Sequence, residues 1–154
     1  MKRSFAFRMT ILVIASYGHL TLGYAQNSTQ NDAQNSRAAC PAATEVTALH
    51  LYGAWQARWD GIDGPATLNL GRNPDHPDSL RGTIRRGAQE ALVAGDVDRG
   101  EFTLEESADG RSISATWTGT VVADACGKEI RGVWTSTADK KERNFVLRKL
   151  PGWQ

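Results

Sequence analysis

Histidine is scarce in this chain, and the few copies are poorly placed for chemistry. Of three histidines, only His50 and His76 lie beyond the first 25 residues. Neither sits beside a serine or cysteine in a recognisable nucleophile motif. There is no His-x-x-x-His pair, no Cys-x-x-Cys and no phosphate loop, so the common zinc and nucleotide signatures are missing. Asp75, His76 and Asp78 share a loop, but Pro74 and Pro77 make that loop a rigid turn rather than a metal site. Glu105 and Glu106 are adjacent, so a strand would point them to opposite faces, which does not make a carboxylate pair. The expectation is a protein that is not an enzyme, with no metal and no cofactor.

Long apolar runs are also missing. The main apolar stretch, Met9–Ser16, is too short to span a bilayer. It follows Lys2, Arg3 and Arg8, and it precedes Gly23-Tyr24-Ala25, which places small residues before a cleavage point at Gln26. This is the pattern of a secretory signal peptide over residues 1–25. It predicts a secreted or periplasmic protein with no transmembrane segment. Cleavage removes three of the 18 basic residues and none of the 17 acidic ones, leaving a net charge of −2. So small a charge gives no electrostatic footprint for nucleic acid. Residues 26–37 contain no aliphatic or aromatic residue except one alanine. Such a stretch cannot bury enough surface to offset the entropy of ordering, so 26–39 is expected to be a flexible polar leader.

Only two cysteines are present, Cys40 and Cys126. In an exported chain an even count predicts a disulfide, and here one pairing is available.

Glycine is plentiful and recurs in a pattern. An aliphatic residue, a variable one and a glycine appear at Leu51-Tyr52-Gly53, Leu80-Arg81-Gly82, Val93-Ala94-Gly95 and Ile130-Arg131-Gly132. Each copy lies in an alternating apolar and polar run, the period of a strand. A glycine on the apolar side marks a bend or a close backbone approach. Turn signals separate eight such runs, at about 50–59, 65–72, 79–86, 90–98, 101–107, 112–123, 129–137 and 142–150. No run has a helical period, and no connection is long enough for a Greek key crossing. The fold class predicted is therefore all-β. Residues 40–154 should form one eight-stranded antiparallel up-and-down β-barrel, a meander whose closure leaves no open edge.

Strand parity sorts the side chains. It sends Leu51, Trp55, Trp59, Leu68, Ile84, Val93, Phe102, Leu104, Ile113, Trp117, Ile130, Trp134, Phe145 and Leu147 inward. The outer face collects an acidic group (Asp96, Asp98, Glu101, Glu105, Glu106, Asp109) and two basic ones (Arg81, Arg85 and Arg86; Arg143, Arg148 and Lys149). An eight-stranded barrel has room either for side chains alone or for one small ligand. The inward glycines suit both outcomes.

Gly53-Ala54-Trp55 in the first strand, with Phe145-Val146-Leu147-Arg148 in the last, resembles the calycin barrels: lipocalins, fatty-acid-binding proteins and avidins. The resemblance implies that Trp55 closes one barrel end and that Arg148 packs across it in a cation–π contact. Avidins hold biotin with an Asn and a Ser soon after the first-strand tryptophan. Here that stretch reads Gln56-Ala57-Arg58-Trp59-Asp60, so biotin is not the expected ligand.

Two functions follow from these expectations. The first is a binding barrel for a small apolar or aromatic molecule, walled by Trp55, Trp59, Trp117 and Trp134. The second is an envelope protein-interaction module, an inhibitor or accessory protein, with a filled core and a working outer surface.

Overall fold

The computed structural model describes residues 40–152. The signal peptide and leader expected over 1–39 lie outside the described residues. A single 3-10 turn at Ala43–Glu45 and a one-turn helix α1 (Ala48–Leu51) come first. Eight strands follow: β1 (Gly53–Trp59), β2 (Ala66–Arg72), β3 (Leu80–Arg86), β4 (Gln89–Asp98), β5 (Glu101–Ser107), β6 (Ala115–Val121), β7 (Glu129–Ser136) and β8 (Glu142–Lys149). Each strand pairs antiparallel with the next, and β8 pairs back to β1. The sheet is a closed eight-stranded meander barrel, the architecture expected from the strand pattern and consistent with a calycin-like barrel.

Local chemistry explains the connections. The β4–β5 turn is Arg99-Gly100, with φ of 46° and 86°. Positive φ at both central residues is the type I′ turn, whose twist matches that of the flanking strands. Between β5 and β6, Asp109 Oδ1 accepts from the backbone N–H of both Arg111 and Ser112 at 2.8 Å. These bonds hold the Asp109 carboxyl down at about 2 and end β5 in a loop. Ile113 falls in this loop and is exposed, which corrects the expected inward position.

The first copy of the glycine phrase also departs from expectation. Leu51 ends α1 instead of opening a strand, although it is fully buried. The Thr47 N–H donates to His50 Nδ1 at 3.1 Å, which caps the turn. Gly53 then takes φ 121°, a conformation that side chains rarely adopt, and the chain swings from helix to strand.

Elsewhere parity holds. Trp55 and Ala57 are buried on β1, Leu68 on β2, Leu80 and Ile84 on β3, Phe102 and Leu104 on β5, Trp117 on β6, Ile130 on β7, and Phe145 and Leu147 on β8. These residues form one continuous core. Trp117 meets Phe145 edge-on at 4.8 Å between ring centroids and Trp59 at 5.2 Å. Such pairs contribute roughly 0.5–1.5 kcal/mol each beyond burial.

The inward glycines serve the backbone. A Cβ added at Gly82 would fall on the carbonyl of Asn69 in β2, and one at Gly132 on the carbonyl of Thr118 in β6. Neighbouring strands thus approach too closely at these positions for any side chain. The space is taken up by coiling of the sheet.

The two barrel ends differ. At one end, the segment from Ala43 to Leu51 lies across the opening. Val46 and Leu51 join the core there, and Trp55 Nε1 donates to the Leu51 carbonyl at 2.8 Å. The Cys40–Cys126 disulfide ties this segment to the β6–β7 turn, with Cα atoms 4.8 Å apart. The other end carries the β1–β2, β3–β4, β5–β6 and β7–β8 turns.

The disulfide closes a loop with a sequence separation of 86. Its removal, by reduction or as Cys40→Ala with Cys126→Ala, should lower unfolding free energy by up to about 4–5 kcal/mol. Urea denaturation with and without reductant measures this. An unchanged midpoint would mean that the end segment needs no covalent tie.

Candidate functional site

The four odd-numbered strands run in the same direction, and each places an inward side chain near its end at the same barrel mouth. On β1 that residue is Trp59, on β3 Arg86, on β5 Glu106 and on β7 Trp134. Trp117, near the start of β6, reaches the same layer from below. The parity that buries Ile84 also turns Arg86 inward, and the parity that buries Leu104 does the same for Glu106. The expected position of both is the outer face. The correction follows from the strand period alone.

The cluster centres on one carboxylate. Arg86 donates to Glu106 through both terminal nitrogens, Nη1 to Oε1 at 2.5 Å and Nη2 to Oε2 at 2.7 Å. The indole N–H groups of Trp117 and Trp134 approach Oε2 at 3.3 and 3.4 Å. The Glu106 side chain is 6% exposed and that of Arg86 30%. The Arg86 guanidinium carbon lies 4.8 Å from the Trp59 ring centroid and 5.9 Å from that of Trp134. Trp59 Nε1 is buried and has no hydrogen-bond partner among the described residues. The chemistry available is recognition: a fixed carboxylate faced by rings that hold a planar cation. Among the described residues no three His, Cys, Asp or Glu side chains come together in a metal-binding group.

The four tryptophans expected to wall one pocket are divided between the ends. Trp59, Trp117 and Trp134 form the mouth cluster, with Trp59 and Trp134 6.5 Å apart. Trp55 is fully buried at the disulfide-tied end. Arg148 does not pack across it. The register sets Trp55 opposite Lys149, so parity carries Lys149 inward and Arg148 outward. Lys149 Nζ lies 5.8 Å from the Trp55 ring centroid and donates to the His50 carbonyl at 2.6 Å. Burial and nearby Lys128 lower the Lys149 pKa. Arg148 Nε instead donates to Glu129 Oε2 at 3.1 Å on the outer wall.

Two of the grooves on that wall adjoin the β2–β3 loop. A groove of about 550 Å³ is bounded by Asn73, His76 and Ser79 of the β2–β3 loop and by Asp96, Glu105 and Thr118 of the strands. The loop is bonded within itself and to β4: Asn73 Oδ1 accepts from the Asp75 N–H at 3.1 Å, and Ser79 Oγ donates to Asp96 Oδ1 at 2.5 Å. A second groove of about 340 Å³ shares Asn73, Ala94 and Glu105 with the first and adds Leu92 and Ile113. Parity placed Leu92 outside, but its pairing with Ile113 depends on the β5–β6 loop and was not visible in the strand pattern.

The mouth pair should show strong coupling. Glu106→Leu alone leaves the Arg86 charge against two rings and two indole N–H groups unpaired, and should cost about 3 kcal/mol. Adding Arg86→Met should restore most of that loss, because apolar replacement of a whole buried pair is often neutral. A double-mutant cycle by urea denaturation tests this, and strictly additive losses would remove the coupling.

Glu129 gives a pH-dependent outcome. Hydrogen bonds from Arg131 and then Arg148 hold its pKa below the ordinary value. Its contribution is therefore complete above the unfolded glutamate range and is lost as pH falls through the lowered native value. Glu129→Gln should flatten the acid limb of the stability–pH curve and leave stability above pH ~6 within about 1 kcal/mol of wild type. An unchanged acid limb would contradict the assignment.

No protein-family model matches the chain, and no curated protein matches it in sequence.

Proposed function

We propose that this chain is an exported, non-enzymatic protein-interaction module that works through its outer wall. The observation that carries this reading is the placement of Leu92 and Ile113, 46% and 44% exposed, in one groove. A single exposed aliphatic residue is ordinary, but two lining one cleft with a polar rim suit a protein contact. Asp96 and Glu105 border the paired grooves, while Asp75 there is paired with Arg81. Asp96 and Glu105 favour a partner that offers an apolar anchor flanked by basic residues.

A small apolar ligand in the lumen has less support. Tilted and edge-on ring contacts and the Arg86–Glu106 pair occupy the space that such a ligand needs. The inward glycines relieve contacts between strand backbones.

Affinity capture from an envelope extract tests the proposal. Wild-type bait should retain a partner that bait carrying Leu92→Asp and Ile113→Asp loses by 30-fold or more, the roughly 2 kcal/mol typical of a central anchor. Arg131→Glu, outside both grooves, should retain it. Equal capture by all three baits would sink the outer-wall reading. A one-to-one response of tryptophan fluorescence to an apolar probe would move the function into the lumen.

A further inference from the structure

Stability alone gives a poor account of the mouth cluster. A buried ion pair is often no more stabilising than apolar residues of equal volume. The inward neighbours of Glu106 on its own strand, Phe102 and Leu104, are apolar. Trp59 adds a buried N–H with no partner among the described residues, a cost that a cluster built only for stability would avoid.

The cluster divides into a receptor and an occupant. The receptor is Glu106, Trp59, Trp117 and Trp134, supplied by β5, β1, β6 and β7. The indoles of Trp117 and Trp134 donate to Glu106 Oε2 and hold the carboxylate independently of Arg86. The occupant is Arg86, about one-third exposed and one residue before the Gly87 turn. Its guanidinium meets the carboxylate through two parallel bonds at 2.5 and 2.7 Å and lies over two ring faces. A two-pronged contact combined with stacking selects a planar guanidinium over a compact ammonium.

We infer that the barrel mouth is a guanidinium-binding site that Arg86 itself occupies in this structure, and that a guanidinium-bearing ligand competes with Arg86 for it. Tethering gives Arg86 a high effective concentration, so the outside ligand binds the wild-type chain more weakly than a chain without that side chain. Trp117 and Glu106 also border the outer-wall grooves, but the inference rests on their inward-facing side chains and stands without those grooves.

The test uses Arg86→Ala and methylguanidinium, followed by tryptophan fluorescence. Binding should saturate, at least ten-fold tighter than for methylammonium and at least ten-fold tighter than for methylguanidinium on the wild type. Adding Glu106→Gln should abolish it. If Arg86→Ala is recovered unfolded, methylguanidinium present during refolding should restore the native emission spectrum, whereas equal potassium chloride or methylammonium should not. A response without saturation, equal affinity for methylammonium, equal affinity on the wild type, or persistence with Glu106→Gln would each overturn the site. An arginine dipeptide with both ends blocked identifies the source. Affinity equal to that of methylguanidinium points to arginine side chains of a polypeptide, and its exclusion points to free small guanidines.

Discussion

The ladder between β1 and β8 is the constraint on which the rest of the molecule depends. It pairs Trp55 with Lys149 and Trp59 with Phe145, and it turns an open meander into a barrel. Once closed, eight strands enclose a lumen of fixed width, which side chains alone can fill. The inward residues, aliphatic side chains with indole and phenyl rings among them, form one continuous buried core. Where neighbouring strands coil most closely, as at Gly82 and Gly132, only glycine fits because the next strand's backbone occupies the place of a Cβ. Core packing, sheet coiling and the distinction between the two ends all follow from closure.

Closure also explains why charge can sit inside. Alternate strands of an antiparallel barrel run the same way, so inward residues near the ends of β1, β3, β5 and β7 converge on one rim. Two of those four residues are tryptophans, one is an arginine and one is a glutamate. Each charge alone would be costly in such surroundings. Together they satisfy one another, and the indole N–H groups of Trp117 and Trp134 take up more of the carboxylate's capacity. At the opposite end a different device does the capping. A covalently tied segment lies across the opening, and Lys149 covers Trp55 while bonded to the His50 carbonyl.

Much of this was legible in the residue pattern, and the gaps have physical causes. Period-two alternation gave the eight strands, because one face of each must be buried. The turn residues gave a meander, because short connections allow only hairpins. The inward position of Arg86 was implied by the same parity that buries Leu80 and Ile84. Its charge argued for solvent, and nothing within β3 shows that a carboxylate waits two strands away. The choice between Arg148 and Lys149 also lay beyond the pattern. It is set by which β8 residue stands opposite Trp55, a cross-strand register that spans the length of the domain. Leu51 is buried as expected but lies in a helix rather than a strand, and Ile113 is exposed, for a local reason: a capped turn and an Asp-anchored loop override alternation at strand ends.

The sequence by itself determined the all-β class, the number and order of strands, most of the core, and the pairing of its two cysteines. These depend on local period, turn chemistry and count. Only the tertiary structure decided that the tryptophans divide between the two ends, that the inward glycines answer to neighbouring backbones, and that Arg86 and Glu106 meet at the mouth. Those outcomes depend on which residues face each other after the sheet has closed. Alternation fixes the face on which a side chain lies, and it carries no information about its neighbours across the lumen.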